Sequence, residues 1–326
     1  MKPKLLVTRE VFDETLDYLA QHCEVESNQA DTPLDPETLA QRLEDKQGVA
    51  CCLTDRIDDK LLARCPQLKV AANIAVGYNN IDLAACTARG VLATNTPEVL
   101  TDTTADLAFA LMLAAARRLT EAEAYIRAGQ WQGWHLKQLL GVDVHHATLG
   151  IIGMGRIGRT IARRAQGFEM RVIYHDPVRQ PADVERRLNA TYASKDELLA
   201  QADFVVLQMP YSPQVHHLIA EAELKKMKPS AILINSTRGG VVDDAALIRA
   251  LKDGTIRAAG LDTFEGEPKL NPGFLELKNV VLAPHIGSST EATRRAMAMT
   301  AAKNAVAALT GGNPPNLLNP EATSKA

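Results

Sequence analysis

The chain has 326 residues, a length that divides into two domains more readily than one. Apolar residues make up 46% and charged residues 23%, which excludes a disordered chain. The net charge of −3 lacks the basic excess of a nucleic-acid binder. The longest apolar stretch, 107–116, is too short to span a bilayer, and residues 1–7 carry no apolar core of a secretion signal, so no membrane partner is expected. Five cysteines with no C-x-x-C spacing fit a reducing cytoplasm better than a disulfide framework.

Apolar runs at 4–8, 48–53, 68–73 and 91–95 predict strands, with helices at 35–44 and 82–89 between them. Gly90 stands at a helix-stop position. This βαβ rhythm predicts an α/β fold with a parallel sheet covered on both faces. Cys51 and Cys52 read as core residues of a strand. After Pro97 a long helix is expected at 99–119. Segment 129–134 is irregular and holds Trp131 and Trp134, which read either as core plugs or as exposed anchors for a partner subunit. A second alternation gives strands at 148–152, 170–175, 204–208, 231–235, 258–261 and 280–283. Helices at 156–166, 195–199 and 244–252 fall among them. A last helix covers 290–309, and the Gly/Pro/Asn-rich tail after Thr310 is expected to be loosely ordered at its end.

Gly153, Gly155 and Gly158 form G-x-G-x-x-G between an apolar run and a helix. The first glycine permits a tight turn, the second lets backbone approach a pyrophosphate, and the third lets the helix pack on the strand. The helix start offers its N–H groups to the phosphates. Asp176 ends the next strand, about 20 residues beyond the loop, where a carboxylate meets the ribose hydroxyls of NAD. NAD(H) is therefore favoured, while Arg179 leaves NADP(H) open.

Three later strands end in Arg238, in the loop 262–268 with Glu267, and in His285. Ligands of open α/β sheets bind beyond the carboxyl ends of strands. An Arg there can hold a carboxylate or polarise a keto oxygen. A His can give a proton, and a Glu can fix its tautomer. Together they read as a catalytic set for a 2-oxo acid. The pairs His145-His146 and His216-His217 are read as no metal site, because adjacent strand residues face opposite ways.

The stretches 73–82, 143–158, 238–243 and 284–288 resemble the D-isomer-specific 2-hydroxyacid dehydrogenase family, especially its glyoxylate/hydroxypyruvate/2-ketogluconate reductase branch. The resemblance covers essentially the whole chain. It implies two doubly wound parallel-sheet domains, with a Rossmann NAD(P) domain inserted into a smaller flavodoxin-like substrate domain. The substrate domain would be 1–98 plus 290–326, and the dinucleotide domain 99–289 with a dimerisation arm at about 99–146. The substrate carboxylate would meet backbone N–H groups of Val76 and Gly77, with Arg238 also contacting substrate. Arg238, Glu267 and His285 would be catalytic. Thr104, Arg156, Ile157, Pro210, Thr237, Asp262 and Gly287 would join Gly153, Gly155, Gly158 and Asp176 at the cofactor, Asp262 near the nicotinamide amide. The implied activity is reduction of a small 2-oxo acid to its D-2-hydroxy acid by a homodimer. Phosphite dehydrogenases are close relatives, but they carry a lysine where this chain has Val76. An NAD(H)-sensing protein on the same fold is the non-enzymatic alternative.

Overall fold

The computed structural model describes residues 1–324. Two compact units emerge, one of Met1–Leu100 with Ser288–Ala326 and one of Thr101–Gly287. Residues 325 and 326, counted above in the substrate domain, lie outside the described residues.

In chain order the first unit holds β1 (Lys4–Val7), α1 (Asp13–His22), β2 (Glu24–Ser27), α2 (Pro36–Leu43), β3 (Gly48–Cys51), α3 (Asp59–Arg64), β4 (Val70–Asn73), α4 (Leu83–Ala88) and β5 (Leu92–Thr94). The second holds α5 (Thr101–Ala116), α6 (Leu119–Arg127), β6 (Thr148–Ile152), α7 (Arg156–Ala165), β7 (Arg171–His175), α8 (Ala182–Leu188), β8 (Ala190–Tyr192), α9 (Lys195–Gln201), β9 (Phe204–Leu207), α10 (Glu221–Leu224), β10 (Ile232–Asn235), α11 (Asp244–Lys252), β11 (Ala258–Leu261) and β12 (Val280–Leu282). Helix α12 (Glu291–Leu309) returns to the first unit.

The first unit's sheet has the order β2-β1-β3-β4-β5, all parallel. That is the flavodoxin-like order. Strands β3 and β4 are buried throughout, so they read as unbroken apolar runs rather than alternating ones. Strand β2, with the sequence Glu-Val-Glu-Ser, lies half-exposed at the edge. It shows no apolar run and was not expected. Helix starts are set by short acids: Asp35, Asp58 and Asp82 each accept a hydrogen bond from first-turn N–H groups.

The looseness expected at the end of the tail falls on residues 325 and 326, outside the described residues; ahead of them the tail docks on β5. The Leu318 N–H donates to the Ala93 carbonyl, and Leu317 bridges Thr94. Asn319 is fully buried; its Oδ1 accepts from the Ala93 N–H at 2.8 Å, and its Nδ2 donates to the Val91 carbonyl at 2.9 Å.

The second unit's sheet runs β12-β11-β10-β9-β6-β7-β8, again all parallel. The chain lays β7 and β8 on one side of β6, then crosses to β9 on the other. The β6/β9 boundary is therefore the topological switch point, where such sheets bind ligands. The expected helix 99–119 is found as α5, which stops at Ala116; Arg118 adopts φ 53°, and a second helix that was not expected, α6, starts at Leu119. Trp131 and Trp134 lie exposed in the chain, so they are not core plugs. No helix among the described residues is long and apolar enough to cross a membrane. All five cysteines are free, and burial pushes the Cys52 thiol up to about 12, far from a reactive thiolate.

Replacing Asn319 by Ala leaves a buried N–H and a buried carbonyl of the β5 edge without partners. We expect a loss of about 2–6 kcal/mol in urea unfolding, at ~1–3 kcal/mol for each abandoned group.

Candidate active site

The glycine loop joins β6 to α7. Gly153 has φ +100°, and a Cβ there would overlap the Gln208 carbonyl across the switch point. A Cβ at Gly158 would overlap the Gly153 carbonyl, so that glycine serves the contact between helix and turn. Gly155 differs: nothing lies within 4 Å of where its Cβ would be. Packing does not demand a glycine at 155, whereas a pyrophosphate approaching the backbone does. Arg156, Ile157 and Gly158 form the first turn of α7, whose N–H groups and dipole favour an anion. The loop residues thus fit a dinucleotide.

Asp176 stands at the end of β7. Its Oδ2 accepts from the Met154 N–H at 2.7 Å and its Oδ1 from the Val178 N–H at 3.0 Å, which ties β7 to the glycine loop. Arg179 is engaged elsewhere, forming two 3.0 Å bonds with Glu185. Pro210 follows β9 and is exposed.

Arg238, Glu267 and His285 follow β10, β11 and β12, three neighbouring strands. The Arg238 Nη1 donates to the Thr237 carbonyl at 2.8 Å. Burial pushes its guanidinium below its ordinary value, and Glu267 pulls it back up; it stays cationic at physiological pH. The turn under it is fixed by buried Asn235, whose Oδ1 accepts from both the N–H (3.1 Å) and the hydroxyl (2.7 Å) of Thr237.

His285 Nδ1 lies 2.9 Å from Glu267 Oε1. A carboxylate only accepts, so Nδ1 carries the proton in this pair and Nε2 is left for other chemistry. His285 itself has φ +55°, a left-handed conformation uncommon for residues other than Gly. Asp262 holds it there. This carboxylate is only 1% exposed, and it accepts from the Ile286 N–H at 2.7 Å and the Gly287 N–H at 2.8 Å. Burial raises the Asp262 pKa, against the lowering effect of those two N–H groups. Gly287 faces Asp262 and Thr104, so Thr104, Asp262 and Gly287 meet at one place. Asn235 and this gripping role of Asp262 were not foreseen; a buried polar residue at a strand's carboxyl end is the only signal the sequence offers for them.

Val76 and Gly77 lie in the first unit, on the half-buried loop after β4.

The premise used for the histidine pair 216–217 fails. The pair does not lie on a strand: His217 has φ +51°, and its ring stacks on His216 with centroids 3.9 Å apart. With Glu265 they form a potential ligand cluster whose donor atoms lie within 4.8 Å of one another. Tetrahedral zinc sets its ligands about 3.3 Å apart, so the widest spacing would have to contract.

Comparisons with known proteins identify the family. Residues 109–287 match the family described as D-isomer specific 2-hydroxyacid dehydrogenase, NAD binding domain. The chain is 47% identical to a glyoxylate reductase of Thermococcus gammatolerans over 98% of this chain and 97% of the relative. It superposes with a TM-score of 0.87 on a glyoxylate reductase from Paecilomyes thermophila, at 33% identity over 98% of this chain and 99% of that one. An NADPH-dependent glyoxylate/hydroxypyruvate reductase from Sinorhizobium meliloti, solved with NADP and malonate, gives 0.88 at 31% identity over 99% and 98% of the two chains.

The glycines should separate in stability measurements. Gly158→Ala should cost about 1–3 kcal/mol in chemical unfolding through overpacking. Gly155→Ala should stay within about 0.5 kcal/mol of wild type, because its Cβ would enter open space.

Proposed function

The chain belongs to the D-isomer-specific 2-hydroxyacid dehydrogenase family and is an NAD(P)-dependent oxidoreductase, and we propose that it reduces glyoxylate, hydroxypyruvate or 2-ketogluconate to the D-2-hydroxy acid. The observation that carries this reading is the 2.9 Å pair of His285 and Glu267, which shares a sheet edge with Arg238.

When bound, the reduced nicotinamide supplies the hydride that the 2-oxo carbon accepts. Arg238 offers a planar fork of donors that grips the substrate's carboxylate or its keto oxygen. Its cation stabilises negative charge developing on that oxygen. His285 gives a proton from Nε2 to the oxygen, while Glu267 holds Nδ1 and keeps the ring oriented. Backbone N–H groups of Val76 and Gly77 take the substrate carboxylate. The dinucleotide domain is 99–289 and the substrate domain 1–98 plus 290–326. The glycine loop with Arg156 and Ile157 holds the pyrophosphate, Asp176 the ribose, and Thr104, Pro210, Thr237, Asp262 and Gly287 the remainder of the cofactor. Asp176 favours NAD(H), since its carboxylate repels a 2′-phosphate. The Arg179–Glu185 pair is largely exposed on the Arg side. Solvent screens such an exposed pair, so it holds the arginine only weakly and Arg179 remains available for NADP(H).

The segment 119–140 exposes Leu119, Ile126, Trp131, Trp134, Leu136 and Leu140. An apolar run of this density supports a homodimer arm. The five free thiols support a reducing, cytoplasmic setting.

Initial rates with glyoxylate and hydroxypyruvate, each with NADH and NADPH, test the activity. We expect turnover with both acids and the higher rate with NADH. His285→Ala should lower kcat about 10²–10⁴-fold without changing the cofactor Kd. Wild-type rates in that variant would defeat the assignment, and tight NADH binding without turnover of any 2-oxo acid would favour a sensor. Light scattering should return twice the 35.3 kDa chain mass; a monomer would remove the dimer.

A further inference from the structure

The loop after β4 has a feature that the proposed carboxylate site does not by itself explain. Three consecutive carbonyls on it are tied down. The Ala75 carbonyl accepts from the Thr96 N–H at 2.9 Å. The Val76 carbonyl accepts from Asn95 Nδ2 at 2.8 Å, and the Gly77 carbonyl from Asn73 Nδ2 at 2.9 Å. A trans peptide is planar, and its C=O and N–H point opposite ways. Fixing these three oxygens therefore turns the N–H groups of Val76, Gly77 and Tyr78 away from their anchors. None of the three has an acceptor among the described residues. Successive N–H groups left open in this way make a nest for an anion.

The two amides are themselves held. Asn73 is fully buried, and its Oδ1 accepts from Asn80 Nδ2 at 3.2 Å. Asn80 also donates to the carbonyls of Cys52 (3.1 Å) and Asp55 (3.0 Å). Asn95 is buried, and its own carbonyl accepts from Asn304 Nδ2 on α12 at 3.0 Å. A carbonyl only accepts, so the NH₂ side of each amide must face it. An aspartate could not take either place.

We propose that Asn73 and Asn95 are positioning residues for the substrate carboxylate, acting through the Gly77 and Val76 carbonyls to present the N–H groups of Val76, Gly77 and Tyr78 as one anion nest. The proposal rests on the 2-oxo acid reading and adds a third N–H and two side chains to it. Neither amide touches substrate. Their contribution is to remove the rotation of two peptide planes that would otherwise be ordered at each binding event.

The test uses Asn95→Ala and the isosteric Asn95→Asp, which keeps the shape and loses the donor. For both, KM for glyoxylate and Kd for oxamate should rise about tenfold or more, with kcat within about threefold of wild type and the NADH Kd unchanged. A role confined to fold maintenance would lower stability and degrade kcat and NADH binding together. Asn95→Asp guards against a variant that fails to fold for lack of volume. Unchanged KM and oxamate Kd in either folded variant would overturn the proposal, as would a wild-type protein that binds no oxamate. Wild-type protein that binds oxamate, loses that binding in the Asn95 variants, yet reduces no 2-oxo acid would support the nest and defeat the activity.

Discussion

Every named strand pair in the two sheets is parallel, and the rest of the architecture follows from that pairing. Parallel neighbours cannot be joined by a hairpin, so each connection crosses a face, usually as a helix. The helices bury both faces, which explains the unbroken apolar strands. All strands of one sheet also end at the same edge. Arg238, Glu267 and His285 need only follow successive strands to become neighbours. The glycine loop needs only to follow β6, beside which the order of strands reverses.

Within that frame the two units use opposite backbone devices. Asp262 takes two N–H groups and so holds the 285–287 turn, including a left-handed His285 whose conformation costs on the order of 1–3 kcal/mol. Asn73 and Asn95 take two carbonyls and so release N–H groups. In each case one buried polar side chain decides which face of a peptide the solvent meets. Burial strengthens such a choice, because an abandoned partner in a dry site costs more than the bond itself contributes.

The sequence carried the parts of this that depend on period and spacing. The βαβ rhythm, the glycine loop, Asp176 and the three strand-end residues all follow from positions along the chain. Elements without an apolar run escaped: β2 is a polar edge strand, and β8 is only three residues long. Helix α6 escaped because Arg118, which turns the chain into it, is neither Gly nor Pro, so nothing local announces a left-handed residue. His217 misled for the same reason, since the alternation of strand side chains was applied to a turn. The gripping roles of Asp262, Asn235, Asn73 and Asn95 depend on which backbone group lies opposite, and no linear spacing encodes that.

The docked tail bears on how the protein is made. Asn319 bonds with Ala93, 226 residues away, so the edge of the first sheet closes only with the last stretch of chain. The unit Thr101–Gly287 is continuous and complete in sequence well before that stretch emerges from the ribosome. During synthesis the first sheet waits with β5 unpaired on its outer side, an open template for a neighbouring chain. Translation order thus leaves the amino-terminal sheet to finish folding after the unit Thr101–Gly287. A nascent chain stalled before Leu317 would carry the sticky edge that the finished protein hides.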